Sequence, residues 1–209
     1  VEKIKLKVCG MRDEKNILEV GTLAPDFMGF IFYEKSPRFV GSSFQVPPGL
    51  QDVSRVGVFV NETTNTMLLK AKDHRFEYLQ LHGRETVEQC AELKGNKIKI
   101  IKAFAVDDEM DFTATKPYAE VCDYFLFDTK GKNFGGNGQP FNWNVLHRYD
   151  QRIPFFLSGG IGVENVNNVK ALKSLNLFAL DVNSGVEETP GVKNYEKVKR
   201  LKDILYSNN

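Results

Sequence analysis

Cys9 and Asp128 are the residues whose types and positions point most directly to chemistry. Cys9 closes the alternating run Ile4, Leu6, Val8 and is followed by Gly10, so its thiol falls where a strand gives way to a loop. Asp128 ends "DYFLFD", behind four apolar or aromatic residues, where a carboxylate is costly unless paired or working. A thiol and a carboxyl can serve as general base and general acid if the protein moves both pKa values toward neutrality. An unperturbed thiol, near about 8.5, is only slightly ionised at neutral pH. Lys7 lies two residues before Cys9 on the same side of the strand. It can lower the thiol pKa or pair with Asp181, and the sequence leaves both open. Cys90, on an apolar helix face, and Cys122 read as packing.

A second set of residues suits an anion. "SGGIGVENV" follows one apolar run and is expected to open a helix, so the bare N–H groups of Gly159 and Gly160 can approach a phosphate. "DVNSGVE" follows the next run, where Ser184 and Gly185 add a hydroxyl and another exposed N–H. Arg38, in "KSPRFV", is either a solvated arginine or a bidentate clamp for a carboxylate. His82, in "LQLHG", reads more readily as a structural histidine than as a catalyst. The segment "KGKNFGGNGQPFNW" reads as a lid or as a plain connector. No His, Cys or acidic residues stand at metal-ligand spacing, so no metal is expected.

The elements that must position these groups are short. Eight apolar, β-branched or aromatic runs read as strands: "IKLKVCG", "DFMGFIF", "RVGVFV", "EYLQLHG", "IKIIKAF", "DYFLFD", "PFFLSGG" and "LFALDVNSG". Helical patterns lie between them. Asp13 can cap a helix containing Ile17, Leu18 and Leu23. "TTNTMLLKA", "ETVEQCAEL", "VENVNNVKAL" and "NYEKVKRLKDILYS" carry apolar stripes at helical spacing. "SPRFVGSSFQVPPG" is too rich in Gly, Ser and Pro for a full helix. Strand alternating with helix predicts an α/β fold, a closed (β/α)₈ barrel of the TIM type over residues 1–209 as a single domain. A doubly wound open sheet is the runner-up. The barrel reading sends functional groups to the C-terminal ends of the strands, and the anion loops to the positions after strands seven and eight.

Bulk properties set the remaining bounds. The 209 residues are 42% hydrophobic and 26% charged, a globular balance. A net charge of +1 offers no basic field, so no nucleic-acid partner is expected. Nothing resembles a signal peptide or a membrane span, and three cysteines without a CxxC suggest reduced thiols, so a cytoplasmic protein is expected.

The stretches "KVCGM", "MGFIFYEKSPRFV", "VGVFVN", "LQLHG", "DYFLFDT", "GGNGQPFNW", "FLSGGIGVENV" and "DVNSGVEETPGVKN" together resemble the phosphoribosylanthranilate isomerase family of tryptophan biosynthesis. The resemblance runs in order from residue 7 to residue 194. It implies an Amadori rearrangement of N-(5-phosphoribosyl)anthranilate to 1-(2-carboxyphenylamino)-1-deoxyribulose 5-phosphate, with no cofactor. It also implies Cys9 as general base, Asp128 as general acid and Arg38 facing the anthranilate carboxylate. Phosphate contacts fall on Gly159, Gly160, Asn183 and Ser184. The implied partner is a small phosphosugar, bound by a monomer or a homodimer. Three departures from the family pattern stand out: Asn137 for threonine, Asn142 for aspartate and Asn183 for serine. The related barrel isomerase of histidine synthesis is the nearest rival. It is expected to carry aspartate at the strand-one position, which Cys9 argues against. A non-catalytic phosphosugar-binding barrel, the other rival, has no need of Cys9 opposite Asp128.

Overall fold

The computed structural model describes residues 3–130 and 141–207. Eight parallel strands close into a barrel in sequence order: β1 Lys5–Cys9, β2 Phe27–Ile31, β3 Ser54–Phe59, β4 Tyr78–Leu81, β5 Lys99–Val106, β6 Tyr124–Thr129, β7 Phe155–Leu157 and β8 Leu177–Val182. The seam is sealed by β1 against β8, with Lys7 level with Asp181. All eight expected runs are strands, because runs covered on both faces by barrel interior and outer helices must be apolar nearly throughout.

Side-chain alternation divides each strand between two cores. Leu6, Val8, Leu79, Leu81, Phe125 and Phe127 face outward into the large cluster beneath the helices. Cys9, Phe27, Val56, Val58, Ile101, Ala103, Leu126, Phe156 and Ala179 form a separate interior cluster. The N-terminal end of the barrel is plugged by aromatic rings. Phe27 meets Tyr78 edge-on at 5.2 Å and Phe156 at 5.5 Å, and Tyr124 lies 4.5 Å from Phe178. With that end filled by hydrocarbon, polar groups on the same inward faces are left to the opposite end.

Four α-helices are present among the described residues: α1 Glu14–Gly21, α2 Thr64–His74, α3 Val87–Lys94 and α4 Tyr195–Ser207. The side chain of Asp13 caps α1 through the Asn16 N–H at 2.8 Å, and Thr63 and Thr86 cap α2 and α3 in the same way. Leu23 falls beyond α1, and Leu18 is exposed rather than buried. No helix follows β2. Among the described residues, short 3₁₀ helices rather than α-helices follow β5, β6 and β7. The expected α-helix in "VENVNNVKAL" is one of these, Val166–Leu172. Val and Asn are weak helix formers there. The side chain of Asn165, the N-cap residue, makes no capping bond and instead accepts from the Gly162 N–H and donates to the Gly160 carbonyl. After β8 a small antiparallel hairpin, β9 Glu187–Thr189 and β10 Val192–Lys193, folds back beside the barrel.

Candidate active site

Four inward-facing rows reach the C-terminal mouth. They are Lys7 and Cys9 on β1, Gln80 and His82 on and just after β4, Asp128 on β6, and Asp181 and Asn183 on and just after β8. The period of two puts alternate residues of each row on one side, so the barrel interior is polar at this level by register alone.

Lys7 sits at the centre of the polar set and is fully buried. Its Nζ donates to Asp181 Oδ1 at 2.9 Å and to Gln80 Oε1 at 2.8 Å. Its charge also acts on the Cys9 sulfur two residues along the same strand. Burial works against the ammonium, but Asp181 and the sulfur outweigh it, and Lys7 is held above its usual range. Both roles left open for Lys7 by the sequence are therefore filled. Cys9 is itself buried. Burial first, and then the Asp181 charge, push its thiol up, while Lys7 and Lys193 pull it down without prevailing. This runs against the expected shift toward neutrality, because a desolvated sulfur loses more than two nearby cations restore. Gly29 of β2 gives the sulfur its room: a Cβ there would lie 2.7 Å from Cys9 Sγ.

Across the mouth, Asp128 is buried with its Oδ1 accepting the Thr129 N–H at 2.9 Å. Its Oδ2 lies 3.3 Å from Nε2 of His82. Nδ1 of His82 in turn lies 2.7 Å from Nε2 of Gln80. His82 therefore belongs to the site, contrary to its reading as a bland structural histidine. Gln80 was missed altogether. Its signal is in "YLQL", where a lone amide on an inward position of an apolar strand needs a polar partner.

A second cluster stands at the rim. Arg38 grips Glu187 of β9 side-on, Nε to Oε1 at 2.8 Å and Nη2 to Oε2 at 2.7 Å. Lys193 of β10 donates to the same carboxylate at 2.6 Å and to Asn183 Oδ1 at 2.7 Å. Asn16 of α1 pins β10 in place, accepting the Lys193 N–H and donating to its carbonyl. Burial pushes Lys193 down to about 8 despite Glu187. Burial also opposes the Glu187 carboxylate, but Arg38 and Lys193 more than offset it and hold the group below its usual range.

The loops after β7 and β8 meet, as the anion reading requires. A Cβ on Gly185 would collide with the Ile161 carbonyl, and one on Gly162 would lie 3.3 Å from the Gly185 carbonyl. Gly159 has φ +96° and abuts Thr129, so only glycine fits there. Ser184 opens a single 3₁₀ turn. Two parts of the expectation change. No α-helix starts behind Gly160, so there is no helix N-terminus to add its dipole. The Asn183 side chain turns to Lys193 rather than to the glycine loop. Asn142 caps the turn Trp143–Arg148 through the Asn144 N–H. Asn137 and most of the expected lid lie outside the described residues. Among the described residues, no cluster of His, Cys, Asp or Glu is placed to hold a metal ion.

Fold and site together define a (β/α)₈ barrel with an acidic and a thiol group facing one mouth beside a glycine-built loop pair. A family model described as N-(5'-phosphoribosyl)anthranilate (PRA) isomerase matches residues 6–203. The N-(5'-phosphoribosyl)anthranilate isomerase of Parabacteroides distasonis is 42% identical over 211 residues, covering 96% of this chain and 93% of its own. The crystal structure of the Thermotoga maritima phosphoribosyl anthranilate isomerase superposes with a TM-score of 0.83 at 34% identity, covering 98% of this chain and 99% of that one. A phosphoribosyl anthranilate isomerase in complex with reduced 1-(o-carboxyphenylamino)-1-deoxyribulose 5-phosphate gives 0.79 at 32% identity, with 98% and 99% covered. The chain belongs to the N-(5'-phosphoribosyl)anthranilate isomerase family.

Proposed function

We propose that Cys9 and Asp128 are the general base and general acid of the family's reaction in this chain. The enzyme is an isomerase of tryptophan biosynthesis that converts N-(5'-phosphoribosyl)anthranilate to 1-(2-carboxyphenylamino)-1-deoxyribulose 5-phosphate. Protonated Asp128 gives its proton to the furanose ring oxygen, the bond from that oxygen to C1 breaks, and the anthranilate nitrogen becomes an iminium. Cys9, as thiolate, takes the proton from C2, and the electron pair left behind neutralises the iminium to an enolamine. The enolamine then takes a proton at C1 and loses one from its C2 hydroxyl, leaving the ketose.

The observation that carries this reading is the placement of both groups on inward strand positions at the C-terminal mouth, each held by its own partners. The thiolate is formed against burial, so Lys7 and Lys193 are the cations that share its charge. The meeting loops at Gly159, Gly160 and Ser184 take the phosphate, and that anchoring aligns the reacting carbons. Arg38, with its side-on edge on Glu187, keeps its Nη1 end for the anthranilate carboxylate. The substrate is this one phosphosugar, and the protein works in the cytoplasm as a monomer or a homodimer.

The decay of substrate fluorescence on adding the purified protein tests the reaction. Cys9→Ala is expected to lower turnover by roughly 10²–10⁴-fold with phosphate-ligand binding intact. Unchanged turnover removes Cys9 from the mechanism. Arg38→Ala is expected to raise KM, and an unaltered KM counts against the clamp.

A further inference from the structure

We infer that Gln80 locks the His82 ring in the tautomer with its proton on Nε2, so that a protonated ring nitrogen rather than a lone pair stands beside Asp128 and both residues position the acid. This inference rests on the acid role given to Asp128 above.

The inference follows from counting donors. The Lys7 ammonium has three N–H donors and no acceptor. The Gln80 atom 2.8 Å from it must therefore be the carbonyl Oε1. Lys7 is charged, since Asp181 at 2.9 Å and the Cys9 sulfur hold it above its usual range even though burial opposes the charge. With Oε1 fixed, the amide presents its NH₂ to His82 Nδ1 at 2.7 Å. An N–H facing that nitrogen requires a lone pair on it, so Nδ1 carries no proton and Nε2 does. Nε2, the protonated nitrogen, lies 3.3 Å from Asp128 Oδ2. The Thr129 N–H holds Oδ1 at 2.9 Å. The carboxyl thus has a backbone N–H on one oxygen and the protonated ring nitrogen beside the other.

The chain has one more property. It begins at Lys7, two residues before the base on the same inward face of β1, and ends beside the acid, running across the barrel through β4 to β6. One ammonium thus sets both the charge around the sulfur and the ring orientation behind the carboxyl.

Nitrogen NMR of the ¹⁵N-labelled full chain reads the tautomer without reference to activity. The expected spectrum for His82 has a protonated Nε2 and a bare Nδ1 at neutral pH; a protonated Nδ1 in the wild type overturns the lock. Gln80→Glu keeps the size and replaces the NH₂ with an acceptor, so a proton is expected to appear on Nδ1. The ring then either turns a bare Nε2 toward the acid's proton or becomes a cation that favours the carboxylate. In both states kcat is expected to fall about 10-fold or more while KM changes little, the pattern of a defect in the reacting state rather than in binding. A proton that stays on Nε2 overturns the lock, and a proton that moves with kcat unchanged overturns the positioning role. Should Gln80→Glu fail to fold, His82→Gln is compared with His82→Leu. The amide can restore an N–H to Asp128, so partial rescue over leucine is expected, and equal loss in both overturns the role. Failure of the acid assignment itself looks different: Asp128→Asn would keep its turnover while the tautomer stayed as inferred.

Discussion

Two charged networks flank Cys9, and they are built in opposite ways. The inner one, Lys7 with Asp181, Gln80, His82 and Asp128, is made of inward positions on the strands or, for His82, one residue past the end of β4. The rim one, Arg38 with Glu187, Lys193 and Asn183, is made from a loop and a hairpin. Fixed strand register places every inner partner with no freedom of approach, whereas the rim partners depend on Asn16 to hold β10 against α1. On the assignment proposed above, register builds the part of the site that handles protons and loops build the part that meets the anthranilate end.

The contrast makes graded predictions. Lys7→Met strands the Asp181 carboxylate in the interior, and a buried charge that loses its partner typically costs about 3–5 kcal/mol. Urea unfolding should show that loss, and a change under about 1 kcal/mol would mean that the interior does not depend on the pair. Glu187→Gln leaves Arg38 and Lys193 without their anion but keeps hydrogen-bonding atoms, for an expected loss of about 1.5–3 kcal/mol. The rim also has a pH signature. Because Glu187 is held below its usual range, the unfolded chain binds more protons as the solution is acidified. The cluster's contribution is therefore complete above the unfolded carboxylate pKa, near about 4.3, and is lost as pH falls through the lower folded value. Thermal melts from neutral pH downward should thus fall less steeply in Glu187→Gln than in the parent, and parallel curves would deny the cluster that role. The smallest effect is expected outside both networks. Lys99, paired with Asp123 on the surface at 3.0 Å, should cost about 0.5 kcal/mol or less when changed to alanine. A larger loss there would blur the distinction between interior and surface pairs.

The same contrast explains how much was legible in the sequence. The eight strands, the barrel and the strand-end positions of Cys9 and Asp128 follow from patterns a few residues long. The Lys7–Asp181 pair was within reach because adjacent strands bring it together. His82 was undervalued because its partners, Gln80 and Asp128, come from its own strand and from one two strands away. Glu187 lies 149 positions from Arg38, and no local pattern joins them. The contact of Lys193 with Asn183 was hidden in the same way, by a hairpin whose docking depends on Asn16. The helix after β7 was misread because apolar spacing in "VENVNNVKAL" outweighed its poor propensity in the reading but not in the molecule.

The seam between β1 and β8 carries an implication for biogenesis. Lys7 leaves the ribosome well before its counter-ion Asp181, which emerges only after β2 to β7. A nascent chain that closed on itself before then would have to entomb a bare ammonium, so premature compaction is electrostatically discouraged until β8 arrives.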